Sequence, residues 1–278
     1  MYTFTLKRNL QKHLSSISNE KTVGFVPTMG ALHSGHLQLI KASKNECSIT
    51  VCSIFINPTQ FNNEKDLKKY PRTIKSDLKK LTQLDCDIVY YPEKKDLYLK
   101  DEKAKKYDFG SLTTYMEGEF RRGHFEGMAT IVEKLLTIIK PSKAFFGQKD
   151  LQQLQIVKAL VKKIKSKTII IGVPTVREES GLAKSSRNQL LDENGKQEAT
   201  LIFKSLNYCR KNKEHGIDKL RTYIHEKFKK NQKFKLEYIE IVDLETMLPI
   251  KNWKEKNKSA ICISAYHSGV RLIDNIIL

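Results

Sequence analysis

Two glycines and two histidines alternate in the segment 27–36, directly after a short apolar run typical of a strand. Gly30 and Gly35 allow the backbone to approach a ligand closely, and a helix that starts here offers free N–H groups to an anion. If the turn is helical, His33 and His36 share one face. Two imidazoles there can hydrogen-bond phosphate oxygens and stabilise charge that develops on a leaving pyrophosphate.

The glycine spacing has to be distinguished from known phosphate loops. Gly30 and Gly35 are spaced as in a P-loop, but His36 and Leu37 stand where that loop requires Lys and Ser or Thr. The segment also lacks the Gly-x-Gly-x-x-Gly pattern of dinucleotide-binding folds. Taken alone, it is equally compatible with a glycine turn that carries two surface histidines.

Amide side chains follow the next predicted strand, a continuous β-branched and aromatic run over 49–56. Asn57 and Gln60 therefore lie where a parallel sheet binds ligands, and neutral amides can hold a hydroxy acid and an amino acid without adding charge. Asn57 before Pro58 also has the composition of a turn, and both interpretations are retained.

A charged turn, Gly147-Gln148-Lys149-Asp150, separates a predicted strand from a predicted helix. Lys149 can neutralise phosphate oxygens. Asp150 can either cap the helix or accept a hydrogen bond from a ligand. Gln153 lies one helical turn further on and is expected to face the same cleft.

A second anion-binding pattern occurs at Ser185-Ser186-Arg187. Two hydroxyl donors and a guanidinium fork suit the outer phosphates of a nucleotide. The alternative is a helix N-cap at Ser185 or Ser186 with Arg187 in solvent. A loop at this place, just beyond a predicted domain boundary, could close over a nucleotide.

The elements that must position these residues alternate between strand and helix in the first part of the chain. Such alternation predicts a parallel sheet with right-handed crossovers, hence a doubly wound, Rossmann-like α/β domain that binds ligands beyond the carboxyl ends of its strands. The predicted strands are 22–26, 49–56, 87–91, 144–146 and 168–171, and the predicted helices are 35–44, 73–83, 125–139 and 150–163.

The pattern changes after about residue 175. Two predicted helices, 189–212 and 216–229, precede three predicted strands, 236–242, 260–264 and 271–274. We expect these strands to be antiparallel. This predicts a smaller α+β domain. We expect domain limits of 1–175 and 176–278, with the second domain acting as a lid.

Composition bounds the function classes. The net charge of +19 comes from lysines scattered along the chain without interleaved aromatic residues, which favours a solvated basic surface over a nucleic-acid interface. No apolar run reaches the roughly 20 residues that a membrane helix needs, and the N-terminus lacks signal-peptide regions. The five cysteines, odd in number and without Cys-x-x-Cys spacing, are interpreted as reduced and mostly buried thiols. We therefore expect a cytoplasmic protein that binds neither membrane nor nucleic acid.

Taken together, the motifs resemble the pantothenate synthetase (pantoate–β-alanine ligase) family of the HIGH-motif nucleotidyltransferase superfamily. His-Ser-Gly-His at 33–36 is similar to the HIGH signature, and matching segments follow in order over essentially the full chain. They are Asn57-Pro58-Thr59-Gln60-Phe61, Tyr70-Pro71-Arg72-Thr73, Arg121 to Met128, Phe145 to Gln153, Val176 to Asn188 and Arg271 to Asn275.

The resemblance implies an ATP-dependent condensation of pantoate with β-alanine through a pantoyl-adenylate, with release of AMP and pyrophosphate. It also implies Mg²⁺ with the ATP and a homodimer. It implies that His33, His36 and Lys149 are catalytic residues. It also implies that pantoate and β-alanine are bound by Gln60, Gln153 and Asn57. The ATP-binding residues that it implies are Met29, Gly30, Ala31, Leu32, His33, Ser34, Gly35, His36, Gly147, Gln148, Lys149, Asp150, Val176, Lys184, Ser185, Ser186 and Arg187.

Some positions depart from the family pattern. Arg122 stands where proline is usual, Gln148 where glutamate is frequent and Lys184 where methionine or leucine is frequent. None removes a residue with an assigned role, but they bear on substrate affinity and on the ligands of magnesium, which the sequence does not identify. His124 is expected to be either structural or functional, with both interpretations open. The remaining histidines, His13, His215, His225 and His267, are interpreted as surface or structural residues.

Two other functions compete with the ligase. A nucleotidyltransferase of the same superfamily would form a dinucleotide and release pyrophosphate without AMP. A basic nucleic-acid-binding module would bind in a strongly salt-dependent manner and consume no ATP.

Overall fold

The computed structural model describes residues 1–17, 20–253 and 258–278. The strands are β1 Tyr2–Phe4, β2 Val23–Thr28, β3 Ile49–Ile54, β4 Ile88–Tyr90, β5 Lys143–Gly147, β6 Ile169–Val173, β7 Phe234–Asp243, β8 Ser259–His267 and β9 Val270–Ile277. The α-helices are α1 Lys7–Ser15, α2 Ser34–Glu46, α3 Glu64–Lys69, α4 Ile74–Gln83, α5 Lys94–Leu97, α6 Glu117–Phe120, α7 His124–Ile139, α8 Leu151–Lys163, α9 Glu193–Lys211 and α10 Ile217–Lys229.

The described chain divides into two compact units that are not contiguous in sequence. The first unit comprises Met1–Phe109, Arg121–Gln148 and Gln153–Pro174. The second comprises Gly110–Phe120, Lys149–Gln152 and Thr175–Leu278. The expected limit at 175/176 therefore falls beside the last crossing between the units, and two short earlier segments also pack with the C-terminal part.

A six-stranded parallel sheet, in the order β1-β4-β3-β2-β5-β6, forms the centre of the first unit. The chain runs from β2 through β3 to β4 on one side and continues with β5 and β6 on the other, so the topological switch point lies between β2 and β5. In sheets of this kind, the loops at the carboxyl ends of the strands diverge at the switch point, and ligands bind in the crevice between them.

Helices cover both faces of this sheet, which explains why β3 reads as an uninterrupted apolar run. Adjacent strands pair in register, with Val26 opposite Cys52 and Phe145 opposite Ile171. The prediction of a doubly wound, Rossmann-like domain is confirmed. One cluster of the apolar core consists of Val26, Leu32, Leu39, Ile40, Cys52, Leu81, Cys86, Val89, Phe145 and Val173.

The sequence interpretation missed the beginning of the fold. The run at 22–26 is the second strand, because β1 precedes it and pairs with β4 at the edge of the sheet. Helix α1 follows β1 directly. A strand of three residues with an exposed Tyr2 has no apolar run by which it can be recognised.

The second unit contains the antiparallel sheet β7-β8-β9, on which α9 and α10 pack. The predicted α+β architecture is thus confirmed, although α9 begins at Glu193, four residues later than predicted, after a short 3₁₀ helix, Ser186–Leu190. The core of the second unit includes the buried side chains of Leu206, Ile224, Phe228 and Ile263. None of the helices in the described part of the chain combines the length and apolarity required to cross a membrane.

Candidate active site

The turn after β2 reverses the chain with two successive residues in the left-handed region. Gly30 has φ of 82° and Ala31 has φ of 50°. A Cβ at Gly30 would lie 3.1 Å from Ile54 and 3.2 Å from a carboxylate oxygen of Asp77. The left-handed conformation costs Ala31 roughly 1 kcal/mol, so the turn needs support from its surroundings.

Helix α4 provides that support through a fully buried carboxylate. Asp77 accepts hydrogen bonds from the backbone N–H of Ala31 at 2.9 Å and of Leu32 at 2.8 Å. It also accepts from the Thr73 hydroxyl at 3.0 Å, and Lys80 donates to the Leu32 carbonyl at 2.6 Å. The sequence interpretation assigned no role to Asp77 or Lys80.

The two predicted histidines are brought together at the start of α2. Their ring centroids are 4.1 Å apart. His33 Nδ1 accepts from the Gly35 N–H at 3.1 Å, and His36 Nδ1 accepts from the His33 N–H at 3.4 Å. Each uncharged ring therefore carries its proton on Nε2, which is the nitrogen able to donate to an anion.

This geometry changes one expectation. The sequence predicted that the N–H groups at the start of α2 would face an anion, but the Gly35 N–H is bonded to His33. The imidazoles thus cap the helix in a reciprocal capping box, in which each ring accepts a backbone N–H at Nδ1.

Asn57 lies after β3 and is only 1% exposed. Its Nδ2 donates to the Gly127 carbonyl at 3.0 Å and to Gln60 Oε1 at 3.3 Å. Its Oδ1 accepts from the hydroxyl of Tyr98 at 2.8 Å and from that of Thr59 at 3.1 Å. Both ends of the Asn57 amide are occupied within the protein, so the arrangement favours a framework role over direct contact with substrate.

Gln60 is held from several sides. Its Nε2 lies 3.0 Å from the sulfur of Met29, which brings two predicted site residues together. Its backbone carbonyl lies 2.8 Å from Nδ1 of His124, the first residue of α7. Gly127 allows α7 to approach this closely, because a Cβ there would lie 2.1 Å from the Thr59 carbonyl oxygen. His124 is 5% exposed, and its contact with the Gln60 carbonyl favours the structural one of the two interpretations.

On the other side of the switch point, Gly147 ends β5 and Gln148 follows it. Gly147 pairs with Val173 of β6, and the Gln148 side chain donates to the Gly172 carbonyl at 3.4 Å. In the first unit, the β2 turn, the 57–60 turn and the end of β5 thus share the carboxyl edge of adjacent strands. Gln153, in the first turn of α8, is half-buried.

Lys149 and Asp150 belong to the second unit and lie in a 3₁₀ turn before α8. Lys149 is half-buried and Asp150 is exposed. The carbonyl of Lys149 accepts a hydrogen bond of 2.8 Å from Asn275 Nδ2 on β9. The structure therefore attaches the predicted phosphate-binding lysine to the last strand.

Residues 176–184 form a hairpin that leads into residues 185–187, here called the double-serine loop. The Lys184 N–H donates to the Val176 carbonyl at 2.9 Å, and the Lys184 ammonium pairs with Glu178 at 3.2 Å. Ser185 Oγ accepts from the Arg187 N–H at 3.2 Å, so Ser185 is an N-cap, as the alternative interpretation predicted. Ser186 is buried and Arg187 is half-buried.

A buried ion-pair network in the second unit was not predicted. Arg271 on β9 donates to both carboxylate oxygens of Glu117, at 2.9 and 2.6 Å, and also to Glu237. Tyr238 donates to Glu117 at 2.8 Å. Burial lowers the pKa of Arg271, but the hydrogen bonds to the two glutamates outweigh this and raise it. The network holds residues 110–120 on the antiparallel sheet.

Among residues 1–17, 20–253 and 258–278, no group of three or more His, Cys, Asp or Glu side chains could hold a metal ion. The five cysteines are free thiols, and all except Cys47 are buried, as predicted. Burial raises the pKa of Cys209 to about 11.

The fold and these segments define a Rossmann-like α/β protein with paired imidazoles at the switch point of its sheet. A model of the family described as pantoate-beta-alanine ligase matches residues 2–277. The chain belongs to this family of ligases. It is 43% identical over 282 residues to the pantothenate synthetase of Christiangramia forsetii, covering 100% of this chain and 99% of that protein.

Solved structures agree with this membership. A pantothenate synthetase from Thermus thermophilus superposes with a TM-score of 0.92 at 34% identity, covering 99% of both chains. Pantoate-beta-alanine ligase from Francisella tularensis, complexed with beta-gamma ATP and beta-alanine, superposes with a TM-score of 0.84 at 35% identity. That match covers 100% of this chain and 97% of the other.

Proposed function

We propose that the chain condenses pantoate with β-alanine at the expense of ATP. A pantoate carboxylate oxygen attacks the α-phosphorus, the bond to the β-phosphate oxygen breaks, and pyrophosphate leaves. The neutral amine of β-alanine then attacks the acyl carbon of the pantoyl-adenylate, AMP leaves, and the new amide nitrogen loses a proton. The observation that carries the proposal is the pair of imidazoles, each accepting a backbone N–H at Nδ1, at the switch point of a chain that the family model matches over residues 2–277.

The histidines act on charge rather than by covalent chemistry. His33 and His36 donate from Nε2 to oxygens of the α- and β-phosphates, where negative charge increases as pyrophosphate departs. Asp77 keeps the turn in one conformation, so these donors are oriented before ATP arrives. Alignment and neutralisation together supply most of the acceleration in such a transfer.

We assign the remaining phosphate contacts to Lys149, Lys184, Ser185, Ser186 and Arg187 of the second unit. A half-buried lysine and a guanidinium complement the β- and γ-phosphates. The other ATP contacts come from Met29, Gly30, Ala31, Leu32, Ser34, Gly35, Gly147, Gln148, Asp150 and Val176.

We assign the acid to Gln60 and Gln153, and β-alanine to Gln60. Asn57 serves these contacts indirectly, because its saturated amide fixes the side chain of Gln60. The lone pairs of Met29 sulfur and the amide of Gln60 form one polar contact beside the turn that carries the histidines.

Mg²⁺ accompanies ATP in this proposal, as the counter-ion of the phosphates. Magnesium commonly binds through substrate phosphates and one or two carboxylates. Among the proposed ATP-binding residues only Asp150 carries a carboxylate, and its side chain is exposed. This donor set fits a metal that enters with the nucleotide.

The decisive experiment is pantoate-dependent exchange of labelled pyrophosphate into ATP without β-alanine. Exchange should require pantoate, and addition of β-alanine should then yield AMP and pantothenate in equal amounts. Exchange that ignores pantoate but responds to a nucleoside monophosphate would identify a nucleotidyltransferase instead. Salt-sensitive binding of duplex or single-stranded nucleic acid, with no ATP consumed, would identify a nucleic-acid-binding module.

The histidines are tested by His33→Ala and His36→Ala, each expected to lower the exchange rate by about 10²- to 10³-fold, as removal of an oxyanion-type donor does. His215→Ala is the matched control, because His215 is an exposed histidine in the 3₁₀ helix Lys213–His215 of the second unit. Circular dichroism should show an intact fold in all three variants. Exchange at the wild-type rate in both site variants would contradict the assigned roles.

We also propose a homodimer that works in the cytoplasm. Strand β6 lies at the edge of the six-stranded sheet and exposes Ile169 by 56%, and apolar edge strands tend to be covered by another chain. The buried free thiols suit a reducing compartment. Light scattering should give twice the monomer mass for the wild type and a lower mass for Ile169→Lys. A monomeric wild type at micromolar concentration would refute the dimer.

A further inference from the structure

Two neighbouring residues of β9 hold both segments of the second unit that carry proposed phosphate contacts. Asn275 donates from Nδ2 to the carbonyl of Lys149 at 2.8 Å. Asp274 accepts from both terminal nitrogens of Arg177, at 2.5 and 2.9 Å. Asp274 and Asn275 are 4% and 6% exposed, so solvent does not compete strongly for these bonds.

Arg177 transmits the position of β9 to the hairpin before the double-serine loop. Its guanidinium also donates to the Gly181 carbonyl at 3.1 Å and to the Asn275 carbonyl at 3.2 Å. It lies over the ring of Phe203, 4.1 Å from the centroid. Since Arg177 pairs with Ala183 across the hairpin, fixing Arg177 fixes both of its strands.

The alternation of side chains along a strand explains why adjacent residues can serve two different segments. Successive side chains of a strand point to opposite faces of the sheet. On β9, Leu272 and Ile276 belong to the core cluster that includes α9 and α10, while Ile277 packs with Leu151 and Met116. Asp274 therefore shares a face with the first set and Asn275 with the second.

The buried carboxylate of Asp274 has partners that fix its orientation. Burial raises the pKa of the Asp274 carboxyl, and the guanidinium of Arg177 opposes that effect. Asp274 accepts a third hydrogen bond, of 2.8 Å, from the backbone N–H of Asn275, which links the two residues directly. A buried carboxylate with a bidentate partner has a defined orientation, and that orientation passes to the guanidinium.

We propose that Asp274 and Asn275 are positioning residues for adenylation, which set Lys149 and the Ser185–Arg187 loop in register with each other. Neither side chain touches ATP in this proposal. Both act through the residues they hold, so that the lysine and the loop neutralise the phosphates of one bound nucleotide together. The inference rests on the proposed function, because it assumes that these segments bind ATP.

The first test is Asn275→Ala, which removes the bond to the Lys149 carbonyl. We expect kcat/KM for ATP in the exchange reaction to fall by about 10- to 100-fold, since small misplacement of a charge has effects of that size. The KM for pantoate should change little. A KM for ATP and an exchange rate equal to those of the wild type would overturn the inference.

A double-mutant cycle separates positioning from a general loss of stability. If Asn275 acts through Lys149, Asn275→Ala should reduce exchange strongly in the wild type and hardly at all in a Lys149→Ala background. Purely structural damage would give the same factor in both backgrounds, and that result would contradict the proposal. Asp274→Asn with Arg187→Ala forms the second cycle. If Asp274→Asn fails to fold, the Asn275 cycle decides alone.

Ser264→Ala is the matched control. It removes a buried hydrogen bond in the same sheet, from Ser264 Oγ to Glu237 at 2.9 Å, without touching either phosphate segment. It should lower Tm and leave the KM for ATP unchanged. Absence of pantoate-dependent exchange in the wild type would refute the proposed function, whereas active wild type with additive cycles would refute the positioning role only.

Discussion

At the scale of single residues, the geometry of the candidate site depends on buried side chains that fix the backbone around it. Asp77 is the clearest case, because a fully buried carboxylate faces the backbone N–H groups of Ala31 and Leu32. A carboxylate can satisfy both N–H groups at once, one with each oxygen. The strained β2 turn, and hence the direction of the histidines that follow it, depends on this one side chain.

We therefore predict that Asp77→Asn both destabilises the protein and slows adenylation. The amide has only one acceptor oxygen, so one backbone N–H would lose its partner and face an NH₂ group, at a cost of about 1–3 kcal/mol. Urea unfolding measures the loss of stability, and pyrophosphate exchange measures the loss of activity. Thr73→Val removes only the hydroxyl that reaches the same carboxylate, so its effect should be smaller on both measures. An Asp77→Asn variant as stable and active as the wild type would show that Asp77 does not hold the turn after β2.

Residue types explain which parts of the site the sequence could predict. The candidate residues His33, His36, Lys149 and the two serines lie in short contiguous motifs, and the structure places the histidines on one turn as expected. Asp77 lies 46 positions from Ala31, and nothing in its helix marks it as a partner of that turn. The sequence also could not show that the amide of Asn57, predicted to bind substrate, makes hydrogen bonds to residues distant in the chain.

At the scale of elements, the close approach of α7 to the turn Pro58–Gln60 sets the position of Gln60. Gly127 makes this possible because no side chain separates the helix from the turn. Predictable elements had a strong pattern, as β3 and α7 did, whereas β1 is too short to show one. Pairings such as β1 with β4 connect distant residues and leave no local trace in the sequence.

We predict that Gly127→Ala raises the KM for pantoate by about 10-fold or more, because the new Cβ would lie 2.1 Å from the Thr59 carbonyl oxygen and displace the turn. The usual gain of about 1 kcal/mol in helix propensity for alanine should not appear as added stability. Gly269→Ala is the control, since its φ of 78° brings strain of about 1 kcal/mol in open space. Equal KM values in the two variants would count against the role of α7.

A further prediction concerns the contact between α9 and β8. Hydrogen bonds from Lys233 and then from His267 lower the pKa of Glu198 below its ordinary value of 4.5. A lowered carboxyl pKa means that the stabilisation is present at neutral pH and is lost as the pH falls through the folded-state value. Glu198→Gln should therefore have a lower Tm than the wild type at pH 7, and the difference should shrink towards pH 3. A difference that stays constant over this range would refute the linkage.

At the scale of the whole molecule, the net charge is +19, and the basic residues are scattered along the chain. A field of this sign attracts anionic substrates over long distances and is screened by salt. ATP and pantoate are anions, whereas β-alanine is a zwitterion, so only the first two should respond strongly to ionic strength.

We predict that salt raises the KM for ATP much more than the KM for β-alanine. Going from about 0.01 M to about 1 M ionic strength shortens the Debye length from roughly 30 Å to roughly 3 Å. Steady-state kinetics in potassium chloride checks this, with a neutral osmolyte at equal osmolality as the control. Equal salt effects on both KM values would show that the charge does not steer ATP.

The ion pair between Arg271 and Glu117 also limits how the protein can be dissected. A fragment that begins at Thr175 would retain Arg271 and Glu237 but lose Glu117, Met116 and Leu151, which pack against the antiparallel sheet. An arginine deprived of a buried partner is costly, so such a fragment should be expressed as aggregate. Chimaeras between relatives would need to exchange Gly110–Phe120 and Lys149–Gln152 together with the C-terminal hundred or so residues.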